Sequence, residues 1–162
     1  SSFAAGHPQT PMARILGWSR VDRPAAEFLD SPVEAVRSLL DALAKAGYEE
    51  SKFEIFEINE AFGIQLPVFM ESFPGKKINV NGGAVALGHP LGSAGARLLV
   101  TLVHSLRRLK VSCGIVSLCY GGGGAYALRW SASGDTLRPV VAHIASRAHG
   151  VADTLVTTLA CP

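Results

Sequence analysis

The sequence predicts a layered α/β domain with a mixed sheet, and three observations carry that expectation. Strand-like and helix-like segments alternate through the middle of the chain, a pattern that builds sheets flanked by helices. The run Phe53-Glu54-Ile55-Phe56-Glu57-Ile58 is nearly continuous in apolar residues, as expected of a strand covered on both faces. Four consecutive glycines, Gly121 to Gly124, separate two β-prone runs and read as a tight antiparallel connection.

Residues 1–10 show no clear period and are left unassigned. Met12 to Trp18 clusters apolar residues around Ile15 and Leu16 and is expected as a short strand, followed from Asp22 to Asp30 by a connection that Pro24 interrupts. Ser31-Pro32-Val33-Glu34 is a helix start signal: Ser31 as N-cap, Pro32 at the first helical position and Glu34 closing a capping box. Val33, Val36, Leu39, Leu40 and Leu43 then recur at helical spacing until Gly47 provides a stop.

After the Phe53–Ile58 strand comes Asn59-Glu60-Ala61-Phe62, and Ala61 to Phe73 is expected as a helix that Pro67 kinks or divides. Lys77 to Val80 is a short extended piece. It leads into a glycine-rich stretch, NVNGGAVALGHPLGSAG, from Asn79 to Gly95. At its centre His89 stands between Gly88, which tolerates positive φ, and Pro90, which fixes φ and has no N–H; such a pair holds an imidazole in a restricted conformation. A helix from about Ser93 to Leu109 follows from the stripe Leu98, Leu99, Leu102, Val103, Leu106 and Leu109. Arg107, Arg108 and Lys110 complement the negative end of its dipole. Val111 to Leu118 and Ala125 to Trp130 complete five strand-like segments. Residues 131–162 carry weak helical character around Val140 to Leu159 and are expected as an extension not tied to the core, leaving 11–130 as the domain.

Composition narrows the function classes. A net charge of +2 with no long basic run argues against a nucleic-acid binder. The longest apolar runs fall far short of the roughly 18 residues a membrane-spanning helix needs, and no signal-peptide pattern opens the chain. Three cysteines, Cys113, Cys119 and Cys161, lack paired CxxC spacing, so free thiols in a reducing compartment are expected, the cytoplasm or an organelle lumen such as the mitochondrial matrix or peroxisome. Hydrophobic residues at 48% against 17% charged point to surface buried against a second domain or subunit.

Three loops that follow strand-like segments carry reactive groups: Asn59-Glu60, Gly88-His89-Pro90 and Cys119-Tyr120-Gly121. Ligands of α/β folds bind beyond strand ends, so these loops are candidates to converge. Phosphate-loop readings fail on spacing. Gly83 to Gly88 has the gap of a P-loop, but His89-Pro90 stands where Lys-Ser/Thr is required, and Pro90 replaces the first glycine of a dinucleotide fingerprint. Taken singly, a histidine such as His89 is more often structural and a cysteine such as Cys119 more often a small buried hydrophobe, while Asn59 reads equally as a helix cap. Together, a thiol and an imidazole at loop tips suit acyl transfer or proton abstraction beside a thioester carbonyl, with an asparagine and glycine N–H groups available for an oxyanion.

The three loops together resemble the C-terminal half of thiolases, which make or cleave 3-ketoacyl-CoA. Asn59-Glu60-Ala61-Phe62 matches the NEAF motif, Asn79 to Gly95 is similar to NVNGGAxALGHPLGxxG almost throughout, and Cys119-Tyr120-Gly121-Gly122-Gly123 matches CxGGG. The resemblance runs from about Pro11 to Trp130. It implies one half of an αβαβα fold, a mixed five-stranded sheet with helices on both faces. It implies Cys119 as the acid/base for the α-proton, and His89 as activator of the nucleophilic thiol. The same resemblance implies that His89 also belongs to one oxyanion hole in which Asn59 holds a water, that the Gly121 amide contributes to the other, and that Phe62 lines the substrate cavity.

Coenzyme A and acyl-CoA thioesters are implied as substrates, with no permanently bound cofactor and no metal. Nothing in the chain corresponds to the N-terminal half, which carries the nucleophilic cysteine. That half is therefore expected in cis or trans, with a homo-oligomer when complete, and the chain alone is expected to be inactive. Arg97, Thr101, His104 and Arg108 interrupt the apolar surface of the helix that is buried mid-layer in this family, so an exposed apolar face is expected. The alternative is a non-catalytic fragment that binds acyl-CoA or a partner.

Overall fold

A computed structural model describes residues 12–132. The segment 1–10 and the helical character expected around Val140 to Leu159 lie outside the described residues. In order the elements are β1 (Ala13–Asp22), α1 (Ser31–Lys45), β2 (Phe53–Ile58), α2 (Gln65–Ser72), β3 (Lys77–Ile78), α3 (Ala84–Leu87), α4 (Ala94–Leu109), β4 (Cys113–Tyr120) and β5 (Gly124–Ala132). The sheet order is β1-β5-β4-β2-β3. β5 is antiparallel to both neighbours, whereas β2 is parallel to β4 and β3, which is the mixed five-stranded sheet expected. Because β2, β3 and β4 run the same way, the loops that follow them emerge at one edge.

One face of the sheet is covered by α1 and α2. The 3.6-residue stripe of α1 buries Val33, Val36, Leu39 and Leu43 against Phe53, Phe56 and Ile115, and α2 adds Phe69 and Phe73. Gly47, at φ +85°, ends α1: its N–H reaches the Ala44 carbonyl at 2.9 Å and the Tyr48 N–H reaches Leu43 at 3.0 Å, the paired bonds of a Schellman motif. The other face carries α4, whose Leu98, Leu102 and Leu106 pack on Ile55 and Val116. Gly114 makes that contact close, since a β-carbon there would stand 2.7 Å from Leu102 Cδ1 and 2.8 Å from the Ile55 carbonyl. Past this strip the α4 face is open: Met12, Ile15 and Val100 are exposed beside the half-buried Leu99, Val103 and Trp130.

Several boundaries differ from expectation. Asp30, not Ser31, caps α1, and no side chain closes the cap. Ser31 is buried as the first helical residue, and its hydroxyl donates to the Gly123 carbonyl at 2.6 Å; Glu34 pairs with Arg37 at 2.9 Å instead of reaching back. A tertiary acceptor in the interior outcompetes the local box. β1 continues to Asp22 because Asp22 still pairs with Gly124 of β5, and β5 itself reaches Ala132. α2 begins only at Gln65, which places Pro67 in its first turn, where a missing N–H breaks no intrahelical bond. The glycine-rich stretch is not all loop, since it contains the single turn α3.

Candidate active site

Asn59 directly follows β2 and is buried, its N–H extending the sheet ladder to the Ser117 carbonyl at 2.9 Å. The next residue fixes the corner. Glu60 is buried, and its carboxylate accepts the Asn79 side-chain N–H at 2.6 Å and the Val85 backbone N–H at 2.9 Å. A β-carbon at Gly83 would overlap that carboxylate, so glycine there is what allows Glu60 to reach the start of α3. Asn79, at φ +48°, turns the chain and holds both backbone groups of Ile58, accepting its N–H at 2.8 Å and donating to its carbonyl at 3.1 Å. The corners after β2 and β3 are thereby one unit.

From this unit α3 runs one turn and stops at Gly88, φ +89°. The chain reverses and brings His89 Nε2 to 3.1 Å from Asn59 Nδ2. An asparagine N–H meets an imidazole lone pair here when the neutral ring carries its proton on Nδ1. His89 Nδ1 and Asn59 Oδ1 are buried without a partner among the described residues.

Cys119 lies near the end of β4 and is partly exposed, whereas Cys113, at the start of the same strand, is buried. Six residue steps along the strand separate them by about 20 Å. Gln65 Nε2 lies 3.7 Å from Cys119 Sγ. Tyr120 turns its ring over Gly124, where a β-carbon would overlap it; its hydroxyl donates to Asp22 and accepts from Arg20 Nε at 3.0 Å. The glycine turn then follows with positive φ at Gly122 and Gly123. The Gly123 carbonyl accepts from the Ser31 hydroxyl and from the Arg23 N–H at 3.2 Å, tying the turn to the start of α1 and leaving Gly121 exposed.

All five residues expected at the site, Asn59, Phe62, His89, Cys119 and Gly121, line one cavity of about 490 Å³ at this edge of the sheet. Phe62 meets Phe28, which also lines the cavity, edge-to-face at 5.3 Å. Sequence reasoning missed Gln65 and the charge beneath the site. Glu57, two residues before Asn59 and paired with Val116, is fully buried with neither carboxylate oxygen bonded among the described residues. Burial raises its pKa from 4.5 to about 7, opposed by the positive charge of Arg97 and reinforced by Glu60. Arg97 itself, read as part of a polar stripe, has its guanidinium buried, whereas His104 and Arg108 are exposed. The one available signal for Gln65 was a lone amide between Ile64 and Leu66.

Among the described residues no group of three His, Cys, Asp or Glu side chains is placed to hold a metal ion, and no helix is long and apolar enough to cross a membrane.

Comparison with known proteins gives one family. A family model described as "Thiolase, C-terminal domain" matches residues 9–131. A probable acetyl-CoA acetyltransferase of Dictyostelium discoideum is 42% identical over 120 residues, covering 73% of this chain and 28% of that protein. The crystal structure of the Bacillus anthracis acetyl-CoA acetyltransferase superposes with a TM-score of 0.72 at 37% identity, over 81% of this chain and 33% of the other. That of the Acat5 thiolase from Ascaris suum in complex with coenzyme A gives 0.66 at 38% identity, over 76% and 31%. The chain thus spans about a third or less of the length of these relatives.

Proposed function

The chain belongs to the thiolase family through its C-terminal domain, and we propose that it is the C-terminal half of an enzyme transferring acyl groups between acyl-CoA and coenzyme A. In one direction the reaction is thiolysis of a 3-ketoacyl-CoA, in the other a Claisen condensation of acetyl-CoA. The observation that supports this is the convergence of Asn59, His89, Cys119 and Gly121 on one cavity at the strand ends. Residues 11–130 form the acting domain.

In this reading Cys119 takes and returns the α-proton of the thioester. Its sulfur lies at the cavity, and thiolate is a competent base near neutral pH. His89 Nε2, unprotonated beside the Asn59 amide, receives the proton of a nucleophilic thiol; once protonated, the same nitrogen donates to the thioester oxygen as negative charge develops on it. Gly121, exposed in the glycine turn, offers its backbone N–H as a second donor. Phe62 and Phe28 form an apolar wall for the acyl chain.

The nucleophile comes from an N-terminal half in cis or trans. Cys113 does not substitute, being buried about 20 Å along the strand from Cys119. Activity then belongs to the assembled protein, in a compartment that keeps thiols reduced. Coenzyme A enters as substrate.

Mixing the chain with a complementary N-terminal half and following acetoacetyl-CoA thiolysis tests this. Cys119→Ala and His89→Ala should each lower turnover by about a hundredfold or more. Undiminished activity in the double variant would sink the proposal. Coenzyme A binding without turnover in the wild-type mixture would favour a binding module instead.

A further inference from the structure

Gln65 is a primary amide at 1% exposure, so its polar ends must be satisfied within the protein. They face different partners. Oε1 accepts the Phe62 backbone N–H at 3.1 Å, and Nε2 stands 3.7 Å from Cys119 Sγ. A backbone N–H only donates, so turning the amide over would set donor against donor at Phe62. The orientation is therefore fixed, with an N–H aimed at the sulfur. The Gln65 backbone N–H also returns to the Phe62 carbonyl at 3.0 Å, closing a short turn from which the side-chain amide reaches Cys119, 54 residues on.

We propose that Gln65 is a positioning residue for the Cys119 thiol: its Nε2–H holds the sulfur at the cavity and favours thiolate over thiol. The catalytic meaning rests on the reading of Cys119 as acid/base; the hydrogen bond itself does not. In the proton-transfer step the thiolate takes the α-proton, an S–H bond forms as the C–H bond breaks, and the electron pair stays on the substrate as an enolate. A donor held on sulfur stabilises the form that begins this step. It also works against a rotamer that would carry the sulfur away from the cavity.

The test needs only the 162-residue chain, carrying Cys161→Ser so that a second thiol does not compete. Alkylation of Cys119 by iodoacetamide is followed across about pH 6 to 10, with the modified peptide identified by mass and folding checked by circular dichroism. Gln65→Met keeps the bulk and removes the donor; Gln65→Glu keeps the Phe62 bond and turns a carboxylate oxygen to the sulfur. Near neutral pH, Gln65→Met should react about three- to tenfold more slowly than the parent, and Gln65→Glu more slowly still. The profiles should meet at high pH. If Gln65→Glu fails to fold, Gln65→Met decides alone. A Gln65→Met profile that superimposes on the parent overturns the proposal. So does a rate lowered by the same factor at every pH, which reports access and not ionisation. Alkylation involves no acyl transfer, so absent thiolysis in the mixture would remove the functional reading and leave this one standing.

Discussion

The two faces of the sheet are built from similar residues and finished differently. On the α1 face, Leu39 and Leu43 are fully buried, α2 closes the edge with Phe69 and Phe73, and even the Ser31 hydroxyl finds an interior acceptor. On the α4 face a single helix covers β2 and β4 and reaches β5 only at its near side. Val100 remains 59% exposed and Ile15 47%, next to a half-buried Trp130 whose indole N–H has no partner among the described residues. One face packs for itself, and the other leaves apolar side chains uncovered among the described residues. A contiguous apolar area of this kind marks an interaction surface, in keeping with a chain that spans about a third or less of its relatives.

The comparison is sharpest at paired positions. Leu39→Ala, in the closed core, should cost about 2–5 kcal/mol in urea unfolding, whereas Val100→Ala should change stability by less than about 0.5 kcal/mol. Equal losses would mean the α4 face is as finished as the other. Gly114→Ala probes the one tight strip on that face. With Leu102 and the Ile55 carbonyl so close, the added methyl should cost about 1–3 kcal/mol and push α4 outward. Unchanged stability would show that α4 rests loosely throughout.

Glu57 sharpens the comparison by pH. Its folded-state pKa of about 7 exceeds the ordinary 4.5, so between those values the folded state holds more protons than the unfolded state. Stability therefore falls as pH rises through this window, and no penalty remains below it. Relative to Glu57→Gln, the wild type should lose about 3 kcal/mol between pH 4.5 and 8; parallel stability curves would contradict the burial argument. A smaller effect lies at the end of α4, where Lys110 occupies a left-handed conformation at φ +55°. Lys110→Gly should raise stability by about 0.5–1 kcal/mol, read from the urea midpoint.

What the sequence disclosed follows the range of each interaction. The stripes of α1 and α4 and the alternation of strands are local patterns, and they located both helices to within a residue at one end. The three loops were legible as motifs, yet the 3.1 Å meeting of Asn59 and His89 depends on Glu60, Gly83 and Asn79 locking two corners together, which no local pattern encodes. Gln65 and Cys119 meet across 54 residues. Arg129 was equally hidden. It is buried on the α1 face with its guanidinium 4.2 Å from the Tyr48 ring centroid and 5.1 Å from that of Phe53, so the cost of burying its charge is offset by aromatic faces supplied from distant parts of the chain. Ser31 illustrates the converse, since a well-formed capping box in sequence lost to a tertiary carbonyl.

The claim that one face awaits a layer is tested most directly by hydrogen exchange on the chain before and after addition of a complementary thiolase N-terminal half. The account predicts new protection in α4 around Val100 and in β1 around Ile15, little change in α1, and acyl transfer that appears in the same mixture. Protection centred on α1, or acyl transfer with the α4 face still exchanging freely, would contradict it.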